Sequence, residues 1–112
     1  LICDTLKETA RESGARLILD VNTIYPAMHV PEDASVVKLA VRAAEQIGLD
    51  PIIRGTGGGS DTHIFNDHGI PCVNLGIAMQ KVHTIDEFIR VEDLSAVTSY
   101  VLAIIHEAAR EA

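Results

Sequence analysis

A glycine-rich tract, Gly55-Thr56-Gly57-Gly58-Gly59-Ser60-Asp61, is the stretch of this sequence best suited to approach a ligand. Three adjacent glycines lose much backbone entropy on folding, which is justified where the main chain passes close to a ligand or another strand. The tract stands between a predicted strand and the first turn of a predicted helix, where a carboxylate or a phosphate is favoured. A surface loop, with Asp61 capping the helix, is the alternative. No Gly-Lys-Ser/Thr follows the glycines, so the tract is not a P-loop.

One histidine, His83, stands in a polar loop just after a predicted strand, where the active sites of α/β proteins collect. A neutral imidazole there is able to bind zinc, although one histidine does not make a site. His68 is predicted near a helix C-terminus and His106 on the surface of the last helix. The sequence has no His-Glu-x-x-His helix and no nucleophile elbow, and Ser60 lacks a patterned histidine base. Serine hydrolase chemistry is therefore disfavoured.

Composition places the chain among ordinary globular proteins and excludes two classes of partner. Of its 112 residues, 47% are hydrophobic and 22% are charged, enough to bury a core. A net charge of −7 without a basic stripe argues against nucleic acid. No apolar run approaches the ~20 residues of a membrane span, and no signal peptide is visible. Cys3 and Cys72 are predicted to be free, buried thiols of a cytoplasmic protein.

Helical and extended patterns alternate along the chain, which predicts an α/β fold with some parallel pairing of strands. The predicted helices are Ile2–Glu12, Ser35–Ile47, Thr62–His68 and Glu92–Ala109. The predicted strands are Ala15–Ile24, Asp50–Arg54, Pro71–Leu75 and Phe88–Val91. A domain boundary is compatible with residues 25–32 or with the glycine tract, and composition does not choose between them.

The chain opens at Leu1, inside a predicted helix and without an initiator methionine. We therefore expect it to be a fragment of a longer protein.

A series of motifs follows in order along nearly the whole chain: Tyr25-Pro26-Ala27-Met28, Ile47-Gly48-Leu49, the run from Pro51 to Asp61, Phe65, Gly69-Ile70-Pro71, Asn74-Leu75-Gly76, and Val82-His83-Thr84 with Glu87. Their order and spacing resemble the C-terminal signature of peptidase T-like enzymes. These are co-catalytic zinc exopeptidases, a group that also includes carboxypeptidase G-type enzymes and aminoacylases.

The resemblance implies a catalytic α/β domain that binds two zinc ions, with a smaller lid or dimerisation domain inserted in it. Residues 1–28 would be the end of that α+β lid domain. Residues 29–112 would be the C-terminal part of the catalytic domain, a partial phosphorylase/hydrolase-like sheet with helices. His83 matches the last metal ligand of the family. The other ligands and the general-base glutamate lie upstream in the family, so no catalytic residue is expected in this chain.

The resemblance also assigns substrate-binding residues. Gly57-Gly58-Gly59 and Asp61 would line the pocket, and Arg54 would hold a substrate carboxylate by a bidentate pair. A surface arginine at a strand end is the alternative for Arg54. His63 departs from the small residue common in relatives and would alter only the pocket edge. Glu87 would either orient a ligand from the second shell or be a solvated surface charge.

The function implied is that of a cytoplasmic dizinc metallo-aminopeptidase that hydrolyses small peptides as a tripeptidase does, and that dimerises through its lid. This chain would contribute one metal ligand and the glycine loop, and would be inactive alone. Two alternatives remain open: a catalytically silent binding or dimerisation module on the same scaffold, and an aminoacylase- or carboxypeptidase-type hydrolase.

Overall fold

The computed structural model describes residues 1–111, and within them the regular structure consists of four helices. Their bounds are Ile2–Ser13 for α1, Ser35–Gln46 for α2, Asp61–Asp67 for α3 and Val91–Glu111 for α4. All four predicted helices are confirmed, with small shifts at their ends.

Three of the helices, α1, α2 and α3, end at a glycine in the left-handed conformation, the last at Gly69 with φ 77°. Gly14 follows α1 with φ 67°, and the N–H of Ala15 donates to the carbonyl oxygen of Ala10 at 2.9 Å. Gly48 ends α2 with φ 76°, and its N–H donates to the Glu45 carbonyl oxygen at 3.0 Å. A residue with a Cβ pays a steric cost at these angles, so glycine is the residue that closes such a helix.

The packed core lies where α2 crosses α4, the only pair of helices in residues 1–111 with extensive contact. Alanines supply most of it, because Ala43 and Ala44 of α2 and Ala103 of α4 are all buried. Small side chains let the two backbones approach closely. The Tyr100 hydroxyl then donates to the Ala40 carbonyl oxygen at 2.9 Å, which ties α4 to the main chain of α2.

A carboxylate, Glu107 of α4, is buried at the end of this contact and is fully paired. Arg42 Nε donates to Glu107 Oε1 at 3.0 Å, and Gln46 Nε2 donates to Glu107 Oε2 at 2.6 Å. Arg42 also bonds Glu111, and Arg110 lies 3.4 Å from Glu107. The hydrogen bonds from Gln46 and Arg42 lower the pKa of the Glu107 carboxyl below its usual range.

The four predicted strands are not present as paired strands in residues 1–111, so the predicted α/β sheet is not observed there. The only strand-like pairing among them is one antiparallel bridge between Gln80 and Phe88. Residues 16–30 and 50–57 make no backbone–backbone hydrogen bond at all. A strand needs a neighbouring strand to satisfy its N–H and C=O groups, and these segments find none within the described residues.

Many large apolar side chains remain exposed for the same reason. Ile18 is 81% exposed, Val21 64% and Ile52 69%, and α1 buries none of its residues. The radius of gyration is 19.8 Å, whereas a compact domain of this length has about 13 Å. The chain therefore presents a small packed centre and long extended apolar segments.

The cysteines are free, as predicted, but both are half-buried rather than buried. Within residues 1–111, no helix combines the length and the apolarity that crossing a lipid bilayer demands.

We expect the isolated chain to associate or to fold only in part, because its extended segments expose apolar faces and unpaired main-chain groups. Light scattering combined with a thermal melt followed by circular dichroism measures both properties. A monomer with a sharp two-state melt would contradict the expectation.

We also predict that the contact of α2 with α4 weakens in acid through Glu107. Its pKa is lower in the folded chain than in the unfolded chain, so the ionised group stabilises the fold at neutral pH. This stabilisation is lost as the pH falls through the lowered, folded-state pKa. Glu107→Gln should therefore reduce stability at neutral pH and flatten its pH dependence in urea unfolding. The matched control is Glu45→Gln, which changes an exposed carboxylate on α2. If both variants keep the wild-type dependence of the unfolding free energy on pH, Glu107 has no such role.

Candidate functional site

The glycine tract runs directly into α3, and Ser60 rather than Asp61 caps that helix. Ser60 has an extended backbone, and its N–H donates to His63 Nδ1 at 3.3 Å. Asp61 is the first helical residue, and its exposed carboxylate makes no hydrogen bond within residues 1–111. The alternative in which Asp61 caps the helix is thus wrong, since the cap position is occupied by Ser60.

Main-chain donors remain available in the tract itself. The N–H of Gly58 donates to Thr56 Oγ1 at 3.3 Å. The N–H groups of Gly57 and Gly59 have no protein partner in the described chain. A carboxylate or a carbonyl oxygen of a ligand is the kind of group that such free donors bind.

An aromatic ring explains why one of these glycines lacks a side chain. A Cβ built on Gly59 would lie 2.3 Å from Cδ2 of Tyr25, far inside van der Waals contact. The same ring lies 5.6 Å from the His63 ring, centroid to centroid, with a tilt of 51°. Gly59 therefore serves a close approach between the glycine tract and the segment that carries Tyr25.

Two asparagine side chains fasten α3 to the segment that follows it. Asn66 Nδ2 donates to the Cys72 carbonyl oxygen at 2.8 Å, and the Cys72 N–H donates back to Asn66 Oδ1 at 3.3 Å. Asn74 donates from Nδ2 to Ser60 Oγ at 3.0 Å and accepts from Thr62 Oγ1 at 2.7 Å. Asn74 thus ties the following segment to the start of α3, and Asn66 ties it to the end of that helix.

Arg54 borders an open cleft of about 1150 Å³ between the core helices and the extended segments. The lining is mostly apolar and also includes Gly55, His63 and Asp93. Asp93 is held in a bidentate pair with Arg90 at 2.7 and 2.9 Å, which lowers the pKa of the Asp93 carboxyl. Arg54 is exposed and has no ion pair within residues 1–111. Among the described residues that line this cleft, its guanidinium is a cation without an ion-pair partner.

His83 lies on a different surface loop, which does not line the cleft. The loop is closed by two main-chain bonds between Gln80 and Phe88, of 2.9 and 3.2 Å. His83 has a left-handed backbone with φ 65°, and its N–H donates to Glu87 Oε2 at 2.7 Å. The imidazole is exposed and makes no hydrogen bond within the described chain. Its ring nitrogens are thus available to a ligand.

Residues 1–111 bring no three His, Cys, Asp or Glu side chains together in a cluster that would hold a metal ion. An exposed imidazole with both ring nitrogens unengaged fits a single ligand of a site completed from elsewhere. The described residues bring Arg54 and Gly55 to one cleft and leave His83 outside it.

The sequence patterns did not predict several of these features. The amides of Asn66 and Asn74 gave no sign of their partners, and the left-handed backbone at His83 is unusual for a residue other than glycine. The Ser60–His63 bond had a visible signal. A serine followed three residues later by a hydrogen-bonding side chain is the spacing of a capping box, although glutamate or glutamine is usual at the second position.

Comparison with known proteins gives consistent matches. A sequence model of Peptidase family M20/M25/M40 matches residues 16–107. The uncharacterized protein YqjE of Bacillus subtilis (strain 168) is 36% identical over 104 residues, which are 93% of this chain and 28% of that protein.

Two solved structures are also similar. Aminopeptidase PepT from Bacillus cereus ATCC 10987 matches with a TM-score of 0.77 and 42% identity, over 91% of this chain and 27% of that one. A tripeptidase from Staphylococcus aureus subsp. aureus Mu50 matches with a TM-score of 0.73 and 40% identity, over 77% of this chain and 23% of that one. The chain thus spans about a quarter of the length of these proteins.

We predict that Gly59→Ala destabilises the protein by about 1–3 kcal/mol, the usual cost of overpacking. The added methyl group would collide with the Tyr25 ring, whereas nothing lies within 4 Å of a Cβ built on Gly57. Gly57→Ala is therefore the matched control, with unfolding in denaturant as the measurement. Tyr25→Ala should abolish most of the difference between the two variants. Equal stabilities of the two alanine variants would show that the Tyr25 contact does not constrain Gly59.

Proposed function

Because this chain belongs to Peptidase family M20/M25/M40, we propose that it is the C-terminal part of a metal-dependent aminopeptidase that hydrolyses small peptides. The observation that carries the proposal is the likeness, at 42% and 40% identity, to two solved structures described as an aminopeptidase and a tripeptidase. The full-length protein would hold the remaining metal ligands and the general base outside this chain.

In this proposal His83 supplies one imidazole to a site for two zinc ions. Its exposed ring, which has no hydrogen-bond partner within residues 1–111, leaves its nitrogens open for that role. Two bound zinc ions supply Lewis-acid polarisation of the scissile carbonyl and activation of a water. The part of His83 is to donate a ring-nitrogen lone pair at a fixed place, and the described geometry holds its main chain for that purpose.

The glycine tract and Arg54 bind the substrate in this proposal. The free N–H groups of Gly57 and Gly59 suit a peptide carbonyl or carboxylate, and Gly58 lets the substrate backbone come close. Asp61, exposed and without a hydrogen-bond partner among the described residues, stands at the edge of the same tract. The uncompensated guanidinium of Arg54 suits the peptide's terminal carboxylate through two parallel hydrogen bonds.

The domain division belongs to the same proposal. Residues 1–28 form the end of a lid or dimerisation domain, and residues 29–112 form the end of the catalytic domain. The absence of buried residues in α1 and the exposed apolar side chains after it support a lid that packs against parts outside this chain, including a second copy. The extended segments of residues 50–54 and 71–75 become strands of the catalytic sheet in the full-length, cytoplasmic enzyme.

We predict that His83→Ala in the full-length protein lowers zinc content and tripeptide hydrolysis together. Loss of a direct ligand should cost more zinc affinity than the about 10-fold to 100-fold that loss of an outer-shell partner costs. The matched control is His106→Ala, which removes another exposed imidazole from α4. Zinc is measured by metal analysis after dialysis, and hydrolysis by release of the N-terminal residue.

Two results would contradict the proposal in different ways. Unchanged zinc content in the His83→Ala variant would remove His83 from the metal site. A wild-type protein with neither zinc nor hydrolysis would mean that the scaffold has been kept for binding alone.

A further inference from the structure

We propose that Glu87 is a positioning residue that aims the His83 imidazole by holding the main chain of His83, rather than by touching its ring. The inference rests on the proposed role of His83 as a metal ligand. It assigns to Glu87 one of the two roles that the sequence left open, and it names the atom on which Glu87 acts.

The backbone of His83 needs to be held. Its φ of 65° lies in the left-handed region. Lys81 of the same loop also has a positive φ, of 51°, and so does Ala78, which precedes the loop, with 59°. For residues with a Cβ this region is costly, and it persists where the surroundings fix it. A change in these angles would turn the Cα–Cβ bond of His83, and with it the side chain, to another direction.

The Glu87 carboxylate supplies that contact. Its Oε2 accepts the His83 N–H at 2.7 Å, at the short end of the usual range for an N–H···O hydrogen bond. Glu87 is itself held, because its own N–H donates to the Thr84 carbonyl oxygen at 3.2 Å and the Gln80–Phe88 pair closes the loop next to it. The carboxylate and the His83 amide are thus locked into one compact turn.

Nothing else in the described chain fixes the His83 side chain. The imidazole makes no hydrogen bond within residues 1–111 and is exposed, so among those residues the main chain of His83 is what sets the direction of its Cα–Cβ bond, from which the ring rotamers start. Glu87 makes no ion pair in that part of the chain either, whereas the neighbouring Asp86 lies 3.7 Å from Lys81. Glu87 is therefore committed to the main chain of His83 rather than to a surface cation.

Two substitutions of Glu87 separate its hydrogen bond from its charge. Glu87→Gln removes the charge but keeps an acceptor oxygen at the same reach. Glu87→Asp keeps the charge but withdraws the acceptor by one methylene. Asp86→Ala, which removes an adjacent exposed carboxylate without touching the His83 amide, is the matched control.

The experiment measures the zinc affinity of the full-length protein by competition with a chelator, together with its midpoint of unfolding in urea. We expect Glu87→Gln to stay close to wild type, and Glu87→Asp and Glu87→Ala to lose about 10-fold or more in zinc affinity, the scale for outer-shell partners. Asp86→Ala should match wild type. If Glu87→Ala does not fold, the comparison of zinc affinity between Glu87→Gln and Glu87→Asp still tests the inference.

The inference is overturned if Glu87→Asp binds zinc more tightly than Glu87→Gln, since charge and not the hydrogen bond would then be what matters. It is also overturned if all the Glu87 variants bind zinc as Asp86→Ala does. If zinc is lost in His83→Ala but kept in every Glu87 variant, this inference is contradicted and the proposed function is not. Zinc kept in His83→Ala as well would sink the proposed function itself.

Discussion

The contact between α2 and α4 is the interaction on which the rest of this structure depends, because the other elements have no comparable packed partner within residues 1–111. Its alanines allow the two backbones to approach closely. Hydrogen bonds from Arg42 and Gln46 offset the free-energy cost of burying the Glu107 carboxylate. Removing either donor would leave a buried charge short of partners. Both the cleft beside Arg54 and the segments around it are built outward from this pair of helices.

Away from that centre, side chains hold the main chain in place where a sheet would usually do so. Asn66 exchanges two hydrogen bonds with Cys72, and Glu87 accepts the amide of His83. Each of these clasps, by which we mean hydrogen bonds between a side chain and the main chain a few residues away, holds its loop where no neighbouring strand within residues 1–111 pairs with it. The chain belongs to a family of peptidases, and in our account these clasps preserve the geometry of a site whose other half lies elsewhere in the protein.

The sequence predicted the helices well because their signals are local: apolar spacing and a closing glycine, such as Gly14 or Gly48, lie within the element itself. The predicted strands are not confirmed within residues 1–111, because an apolar run such as residues 15–24 shows that a segment could pair, not that a partner is present. The resemblance to peptidase T-like enzymes is confirmed, since it rested on the order of many motifs. The clasps were not predicted, because no sequence pattern specifies the hydrogen-bond partners of Asn66, Asn74 and Glu87.

The most direct test of the account is anomalous diffraction at the zinc edge from crystals of the full-length protein. We expect a zinc peak at about 2.0–2.1 Å from a ring nitrogen of His83, the usual distance for a zinc–imidazole bond. The His83 N–H should still point at Glu87 in that structure. Zinc peaks that lie away from His83, or a crystal soaked in zinc that shows none, would contradict the claim that this chain contributes a ligand to a metallopeptidase site.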